Sequence, residues 1–154
     1  MRLLTNILCL LSVLSLLSCS DTPSKQVSSM QKRLAVVQSG VSTLYERDFD
    51  FLVKEYYRID TTLARKSNIL KEMDLLASYL QQFETVRVDM LDEIKYSEQQ
   101  LSDLKYDIDN NKLSENDISK YLKDEEAAVK RLEAQLDYFR DRFSQQKKVV
   151  KNLK

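Results

Sequence analysis

The chain has 154 residues, with 24 basic and 24 acidic side chains and therefore a formal net charge of zero. Its single Gly, two Cys and complete lack of His exclude glycine-dependent phosphate loops, zinc centres and His-based catalytic triads. Balanced charge also gives no global attraction to nucleic acid. We therefore expect a largely helical chain without catalytic residues, metal or cofactor.

Residues 1–17 have the layout of a secretory signal, in which Arg2 precedes an apolar run of about 15 residues. As a helix this run would span about 22 Å, whereas the hydrocarbon core of a membrane is about 30 Å thick. Thr5 and Asn6 shorten its apolar part further. The run is too short for a membrane span, so a cleaved signal is the favoured interpretation and an uncleaved anchor the weaker one.

The tetrapeptide Leu16-Leu17-Ser18-Cys19 closes this run. It resembles the lipobox of bacterial lipoproteins, which has an aliphatic residue three positions before a cysteine and a small residue directly before it. The resemblance implies signal cleavage between Ser18 and Cys19 and acylation of Cys19, which would attach the chain to a membrane. Leu17 departs from the pattern, because a small or β-branched residue is commoner there. Ser20, where an Asp would imply retention in the inner membrane, implies an outer-membrane location with the face left open.

Cysteine usage agrees with this interpretation. Cys9 would leave with the signal, and acylation of Cys19 would remove the remaining thiol, so the mature chain would carry no oxidation liability. The alternative is an ordinary secreted chain in which Cys19 has no special role. We expect three regions: a signal peptide over 1–18, a lipidated tether over 19–25 and a helical domain over 26–154.

The first helix is predicted over about 26–65. Thr22 and Pro23 fit an N-cap followed by proline at the first helical position, and Ser28 with Gln31 offers an alternative capping box. Apolar residues recur every three or four positions, and from Leu44 onward the apolar stripe is wide enough for two neighbouring helices. The stripe consists of Val27, Met30, Leu34, Val37, Val41, Leu44, Phe51 or Leu52, Tyr56, Ile59 and Leu63.

Two further helices are predicted over about 68–109 and 115–154. Each has a heptad seam with nine apolar residues in eleven positions, from Met73 to Ile108 and from Ile118 to Leu153. Asn110 and Asn111 between them tolerate a left-handed backbone, and Ser114 followed by Asp117 predicts the next helix start. An antiparallel hairpin would pair Ile108 with Ile118, Leu101 with Glu125, Met90 with Leu136 and Met73 with Leu153.

The fold class is therefore all-α, as an elongated antiparallel three-helix bundle or coiled-coil hairpin about 60 Å long. The region 69–111 is acidic and both flanking stretches are basic, which favours neighbours within one chain. The turn near residues 61–68 is weakly signalled. The rival is one uninterrupted helix over 26–109, whose first half would need a second chain.

Several residues are candidate sites, each with a simpler structural interpretation. Arg87, Ser97, Glu125 and Gln146 interrupt the seams and are expected to set register or lie at the bundle edge. Asp107, Asp109, Asn111 and Glu115 follow EF-hand spacing, but Lys112 and Ile118 stand at the positions that need Gly and Glu, so no calcium is expected.

Aromatic and basic clusters are the remaining candidates. Most of the 13 Tyr and Phe residues lie at helical spacing and are expected at the core or its edge, with a stacking surface for glycans or peptides as the alternative. Tyr45, Phe49, Tyr56 and Tyr57 are the place to look for an exposed apolar patch. Four basic residues near the end are expected to complement the C-terminal helix dipole, with phosphate contact as the alternative. They are Lys147, Lys148, Lys151 and Lys154.

Together these features predict a non-enzymatic, lipid-anchored envelope protein with a structural or protein-interaction role. Its expected partners are the membrane, through Cys19, and another protein or a second copy, through helical faces. Neither nucleic acid nor a small-molecule substrate is expected. The alternatives are a periplasmic holdase-type chaperone with exposed helical arms and, less favoured, a carboxylate-based cell-wall enzyme or its regulator.

Overall fold

The structure, a computed structural model, describes residues 22–63 and 67–152 and consists there of three helical rods. The first rod comprises α1 (Pro23–Thr43), a π-helical segment (Leu44–Phe49) and α2 (Asp50–Leu63). The second is α3 (Ser67–Asp109) and the third is α4 (Glu115–Asn152). Within the described ranges the chain forms no strand, so the all-α prediction is confirmed.

The three rods pack against one another along their lengths as an antiparallel bundle. Ser24, at the start of α1, donates a hydrogen bond to Asp109, at the end of α3. Phe49 in the first rod contacts Phe83 in the middle of α3, with ring centroids 5.6 Å apart. These contacts confirm the three-helix arrangement, and the rival of one straight helix over 26–109 is wrong. The first rod and α4 run parallel, and α3 is antiparallel to both.

Helix α1 begins at Pro23 with Thr22 as its N-cap, which confirms the start predicted from these two residues and lies three residues before the expected boundary at 26. The carbonyl of Thr22 accepts hydrogen bonds from the amides of Lys25 and Gln26. The alternative start at Ser28 is therefore wrong, and its hydroxyl donates instead to the carbonyl of Ser24 within the helix. Residues 23–25 of the expected tether are helical, because proline at the first position has a backbone already suited to a helix.

The turn between α3 and α4 closes with two specific end motifs. Asn111 has a φ of 53°, as predicted for a left-handed residue at a helix end. The amides of Asn111 and Lys112 donate to the carbonyls of Ile108 and Asp107, the hydrogen bonds of a Schellman motif. Ser114 then caps α4, because its hydroxyl oxygen accepts from the amide of Asp117 at 3.2 Å. Both helix ends are thus fixed within five residues of loop.

The predicted seams form the core. Almost every apolar seam position inside the described ranges is buried, including Leu34, Phe83 and Phe143, whose exposure is 0 %. The predicted α3–α4 register places Phe83 opposite Phe143, and their ring centroids are 4.9 Å apart. Phe139 and Phe49 complete an aromatic layer around Phe83. This layer joins all three rods midway along the distal half of the bundle.

The π-helical segment explains why the first seam was ambiguous at Phe51 and Leu52. The amide of Asp50 donates to the carbonyl of Tyr45, five residues back, so the segment holds one extra residue per turn. Asp48, the next buried position after Leu44, still follows the preceding heptads, whereas the buried Leu52 and Ile59 lie one residue out of phase with them. The wider turn therefore keeps α2 facing the core after the phase shift.

Several predictions fall outside the described residues: the signal region with Ser18 and Cys19, residues 64–66 of the turn predicted near 61–68, and the end positions Leu153 and Lys154. The side chain of Leu63 is also outside them. In the described part of the chain, no helix is long and apolar enough to cross a membrane.

Candidate functional site

The base of the bundle is the end nearest to Cys19. Thr22 lies three residues after that cysteine in the sequence, and α1 starts at the next residue. Because α1 and α4 run parallel, the base also contains the α3–α4 loop and the start of α4. The opposite, distal end lies about 60 Å away, since the first rod has 41 residues at 1.5 Å each.

Arg33 on α1 holds two glutamates of α4 at once. Its Nη1 lies 2.7 Å from Oε2 of Glu126, and its Nη2 lies 2.7 Å from Oε2 of Glu133. Its Nε also donates to Oε1 of Glu133 at 2.8 Å. The hydrogen bonds that Arg33 donates to Glu133 and Glu126 raise the pKa of Arg33, and the same bonds lower the pKa of both carboxylates. This clamp fixes the parallel register of α1 and α4.

The ion pairs between helices only partly follow the predicted pairing of the acidic helix with its basic neighbours. Arg131 of α4 does pair with Glu93 of the acidic helix α3. The most extensive ion pairs, however, join the two basic stretches, α1 and α4, through the clamp at Arg33. Net charge per helix did not reveal this, because it depends on which individual residues occupy the facing edge positions.

A groove of about 680 Å³ opens between α1 and α4, distal to the clamp. Its floor includes Gly40, the only glycine of the chain. The side chains lining it include three cations and three hydroxyl groups: Arg47, Arg140, Lys147, Ser39, Thr43 and Ser144. The groove thus carries cations and hydroxyl groups beside the apolar side chains of Ala35, Val36 and Leu44.

Asp48 lies at the edge of this groove and is the only carboxylate lining it. Its side chain is 9 % exposed, and Lys147 Nζ lies 2.9 Å from its Oδ1. Arg47 Nε lies 3.0 Å from the same oxygen. Burial acts to raise the pKa of Asp48, but the hydrogen bonds and charges of Arg47 and Lys147 outweigh it and lower that pKa. Asp48 therefore remains ionised and holds both cations at the groove.

The polar seam residues occupy the seam and its edge, as predicted. The Arg87 guanidinium lies 4.2 Å from the ring centroid of Tyr45, so this cation stacks on an aromatic face. Ser97 and Gln146 are buried, at 2 % and 7 % exposure. Glu125 is half-buried, and its Oε2 has no hydrogen-bond partner in the described part of the chain. Burial raises the pKa of Glu125, and the neighbouring Asp124 carboxylate adds to this shift.

The aromatic residues divide by type. Phe83, Phe139 and Phe143 are buried, as expected, whereas five tyrosines are exposed, so the expectation of core-edge packing is wrong for them. The exposed ones are Tyr57, Tyr96, Tyr106, Tyr121 and Tyr138. Their hydroxyl groups favour contact with water, and helical spacing alone does not separate core positions from outward ones.

The predicted aromatic patch is present in part at the distal end. Tyr57 is 65 % exposed, whereas Tyr45, Phe49 and Tyr56 pack partly against the core. Phe49, Tyr56 and Tyr57 line a shallow cavity of about 230 Å³ between the first rod and α3. Leu70 and Leu75 are also exposed on this half of α3.

The EF-hand-like residues engage other partners. Asp107 lies 3.6 Å from Lys112, and Asp109 pairs with Lys105 at 2.6 Å. Across residues 22–63 and 67–152, no three His, Cys, Asp or Glu side chains converge as a metal ion would require. Of the four terminal lysines, Lys147 binds Asp48, Lys148 and Lys151 lie outside the groove, and Lys154 is outside the described residues.

The groove and the Arg33 clamp were both missed by the sequence reasoning. The signal for the groove was the single Gly in a long helical stretch, because a mid-helix Gly costs about 1 kcal/mol relative to Ala. The signal for Asp48 was an acidic residue at the next seam position after Leu44. The signal for the clamp was a seven-residue spacing, which places Glu126 and Glu133 on one edge of α4.

Fold and site together define an all-α three-helix bundle with a cationic groove between its two parallel helices. The sequence matches no protein-family model, and neither the curated proteins nor the solved structures contain a match.

Proposed function

We propose that this protein is a lipid-anchored bacterial envelope protein whose helical bundle serves a structural or protein-interaction role. The main support for this proposal is the lipobox-like sequence Leu16-Leu17-Ser18-Cys19, whose cysteine lies only three residues before the N-cap of α1 at Thr22. So short a connection keeps the base of the bundle close to the lipid. The outer membrane is the favoured location, because Ser20 follows the cysteine.

The geometry supports an interaction role for the distal end. The bundle is a stiff body about 60 Å long, because three seams bury its apolar residues along the rods. A base tied to the membrane leaves the distal end free to meet a partner. That end carries the exposed Tyr57, Leu70 and Leu75. The chaperone alternative has less support, because its helical arms require an exposed apolar seam, and the seams here face the core.

The anchor is tested by metabolic labelling with palmitate and by fractionation of intact envelopes. Replacing Cys19 by Ser should abolish labelling and release the chain from the membrane fraction. Replacing Cys9 by Ser is the matched control, because that residue lies within the signal and should change neither result. Labelling that survives in the Cys19→Ser chain would overturn the anchor.

The interaction role is tested by a photo-crosslinking amino acid placed at Tyr57 or at Tyr106. The two tyrosines are similarly exposed, at 65 % and 59 %, but lie at the distal end and at the base. In intact envelopes, a discrete crosslinked product is expected from position 57 and not from position 106. Equal products from both positions, or none from position 57, would contradict a distal interaction surface.

A further inference from the structure

We propose that the groove between α1 and α4 binds a phosphorylated ligand, held through its phosphate groups by Arg47, Arg140 and Lys147. These three cations line the groove together with one carboxylate, Asp48, so the lining has two positive charges in excess. Ser39, Thr43 and Ser144 add hydroxyl donors along its walls. Guanidinium forks and hydroxyl groups are the donors that phosphate oxygens accept from most effectively.

The size of the groove defines the ligand class. A volume of about 680 Å³ lies within the usual range for a small-molecule site, and it exceeds the need of a single inorganic phosphate. A compact ligand with two or more phosphate groups, or a short phosphodiester segment of an anionic polymer, fits this volume. Such a ligand would also match the positive excess, since each phosphate carries between one and two negative charges.

The cations are held in position before any ligand arrives. Asp48 is buried at the π-helical segment and binds both Lys147 and Arg47. These cations still reach solvent, because their side chains are 31 % and 72 % exposed. The buried carboxylate thus fixes one end of each ion pair and leaves the remaining donors of each cation available to a ligand. Prior ordering of this kind reduces the entropy lost on binding.

Gly40 brings the third cation into place. A Cβ at this position would lie 2.7 Å from Nη2 of Arg140. The glycine therefore lets the guanidinium lie directly against the backbone of α1, on the floor of the groove. Arg140 remains accessible, since its side chain is 47 % exposed and its ion partner, Asp137, is an exposed residue on its own helix.

The position along the bundle argues for a ligand other than the anchoring membrane. Asp48 lies 26 residues beyond Thr22, which is about 39 Å along the first rod. Headgroups of the anchoring leaflet do not reach this height when the bundle stands upright. We therefore assign the groove to a soluble or polymeric phosphate compound, and lipid headgroups are the source that the experiment must separate from it. Phosphate binding by the groove does not depend on the anchor at Cys19, whereas the choice between these two sources rests on the proposed anchor.

The test is calorimetric titration of the full chain, purified in a neutral maltoside detergent, with tripolyphosphate. Saturable binding with one ligand per chain is expected, and Arg140→Gln should weaken it at least about tenfold. Arg142→Gln is the matched control, since it removes the same charge from the same helix. Arg142 lies instead near the rings of Tyr138 and Tyr79, at 5.1 and 5.6 Å, so its loss should change the affinity less than about twofold.

A second pair of variants distinguishes loss of binding from loss of folding. Lys147→Gln should weaken binding, whereas Lys148→Gln, the neighbouring residue outside the groove, should not. Circular dichroism spectra of all four variants verify that the helices are intact. No saturable binding at millimolar tripolyphosphate would overturn the proposal, and so would equal losses in the groove variants and their controls.

Vesicles distinguish the source of the phosphate. The Cys19→Ser chain is mixed with vesicles of phosphatidylglycerol and phosphatidylcholine in equal parts. Tripolyphosphate binding that these vesicles do not displace supports a soluble or polymeric ligand. Vesicle binding that depends on Arg140, without any tripolyphosphate binding, would overturn that assignment.

Discussion

Gly40 marks a close approach of α1 to α4, and replacing it by Ala tests that approach directly. The added Cβ would lie 2.5 Å from Cδ2 of Leu136, well inside the contact distance of about 3.5 Å. It would also meet Nη2 of Arg140, but that guanidinium can swing into solvent. Leu136 is only 2 % exposed and is enclosed by the core, so it has little room to move.

Two opposing effects set the magnitude. Ala in place of Gly in a helix interior favours folding by about 1 kcal/mol. Overpacking a buried site costs about 1–3 kcal/mol. The net expectation for Gly40→Ala is a loss of about 0–2 kcal/mol in the free energy of unfolding. In a chain that already carries Leu136→Ala the obstacle is absent, so the same change should become favourable by up to about 1 kcal/mol.

The assay is a double-mutant cycle measured by urea unfolding, followed by circular dichroism. All four proteins carry Cys19→Ser so that no detergent is needed. Leu136→Ala alone should cost about 2–5 kcal/mol, and the coupling between the two positions should be about 1–3 kcal/mol. Ser39→Ala serves as the control, because it improves helix propensity at an exposed neighbouring position and should act equally in both backgrounds. If Gly40→Ala had the same effect with Leu136 and with Ala at position 136, the close approach would be refuted.

Two further predictions concern pH. Glu125→Gln should stabilise the bundle by about 1 kcal/mol at pH 7, because the half-buried carboxylate lacks a partner. Because the pKa of Glu125 is raised, the stability that this carboxyl group contributes is present in acid and is lost as the pH rises. The urea midpoints of the Glu125→Gln protein and the parent protein should therefore converge near pH 4. A gain in stability that is independent of pH would contradict this cause. Arg33→Gln should cost about 1–2 kcal/mol at pH 7, between the values for exposed and desolvated ion pairs. Because the pKa values of Glu126 and Glu133 are lowered, this difference should shrink as the pH falls below about 4.5, and an undiminished difference at pH 3 would argue against the clamp.

Periodicity in the sequence was sufficient for most of the fold. Two seams of equal length predicted both the hairpin and its register, which the pair Phe83 and Phe143 confirms. Asn111 and Ser114 predicted the turn, because their local preferences and the hydrophobic pattern pointed to the same place. Agreement between local and long-range signals is what makes such a prediction dependable.

The groove was beyond this kind of reasoning for a physical reason. It depends on how two helices 93–100 residues apart in sequence meet at their edges, as Arg33 does with Glu126 and Glu133. Seam periodicity indicates which residues face inward, but the edge positions are chosen by helix crossing and by the one-residue shift at the π-helical segment. Asp48 is the clearest example, because heptad spacing places it on the core side and its pairing with Arg47 and Lys147 makes that position tolerable.

The loop between α3 and α4 has a consequence for how the chain folds. Contacts across this loop join residues close in sequence, so the α3–α4 hairpin closes at a small cost in chain entropy and is expected to form first. The first rod must then find α4 across a separation of about a hundred residues, which is slower because a much longer segment must be closed. The contacts between the first rod and α4 are therefore expected to form last, although the first rod can pack on α3 earlier. Until α4 has formed, the apolar stripe of the first rod is not fully covered, and the chain is most open to aggregation during this interval.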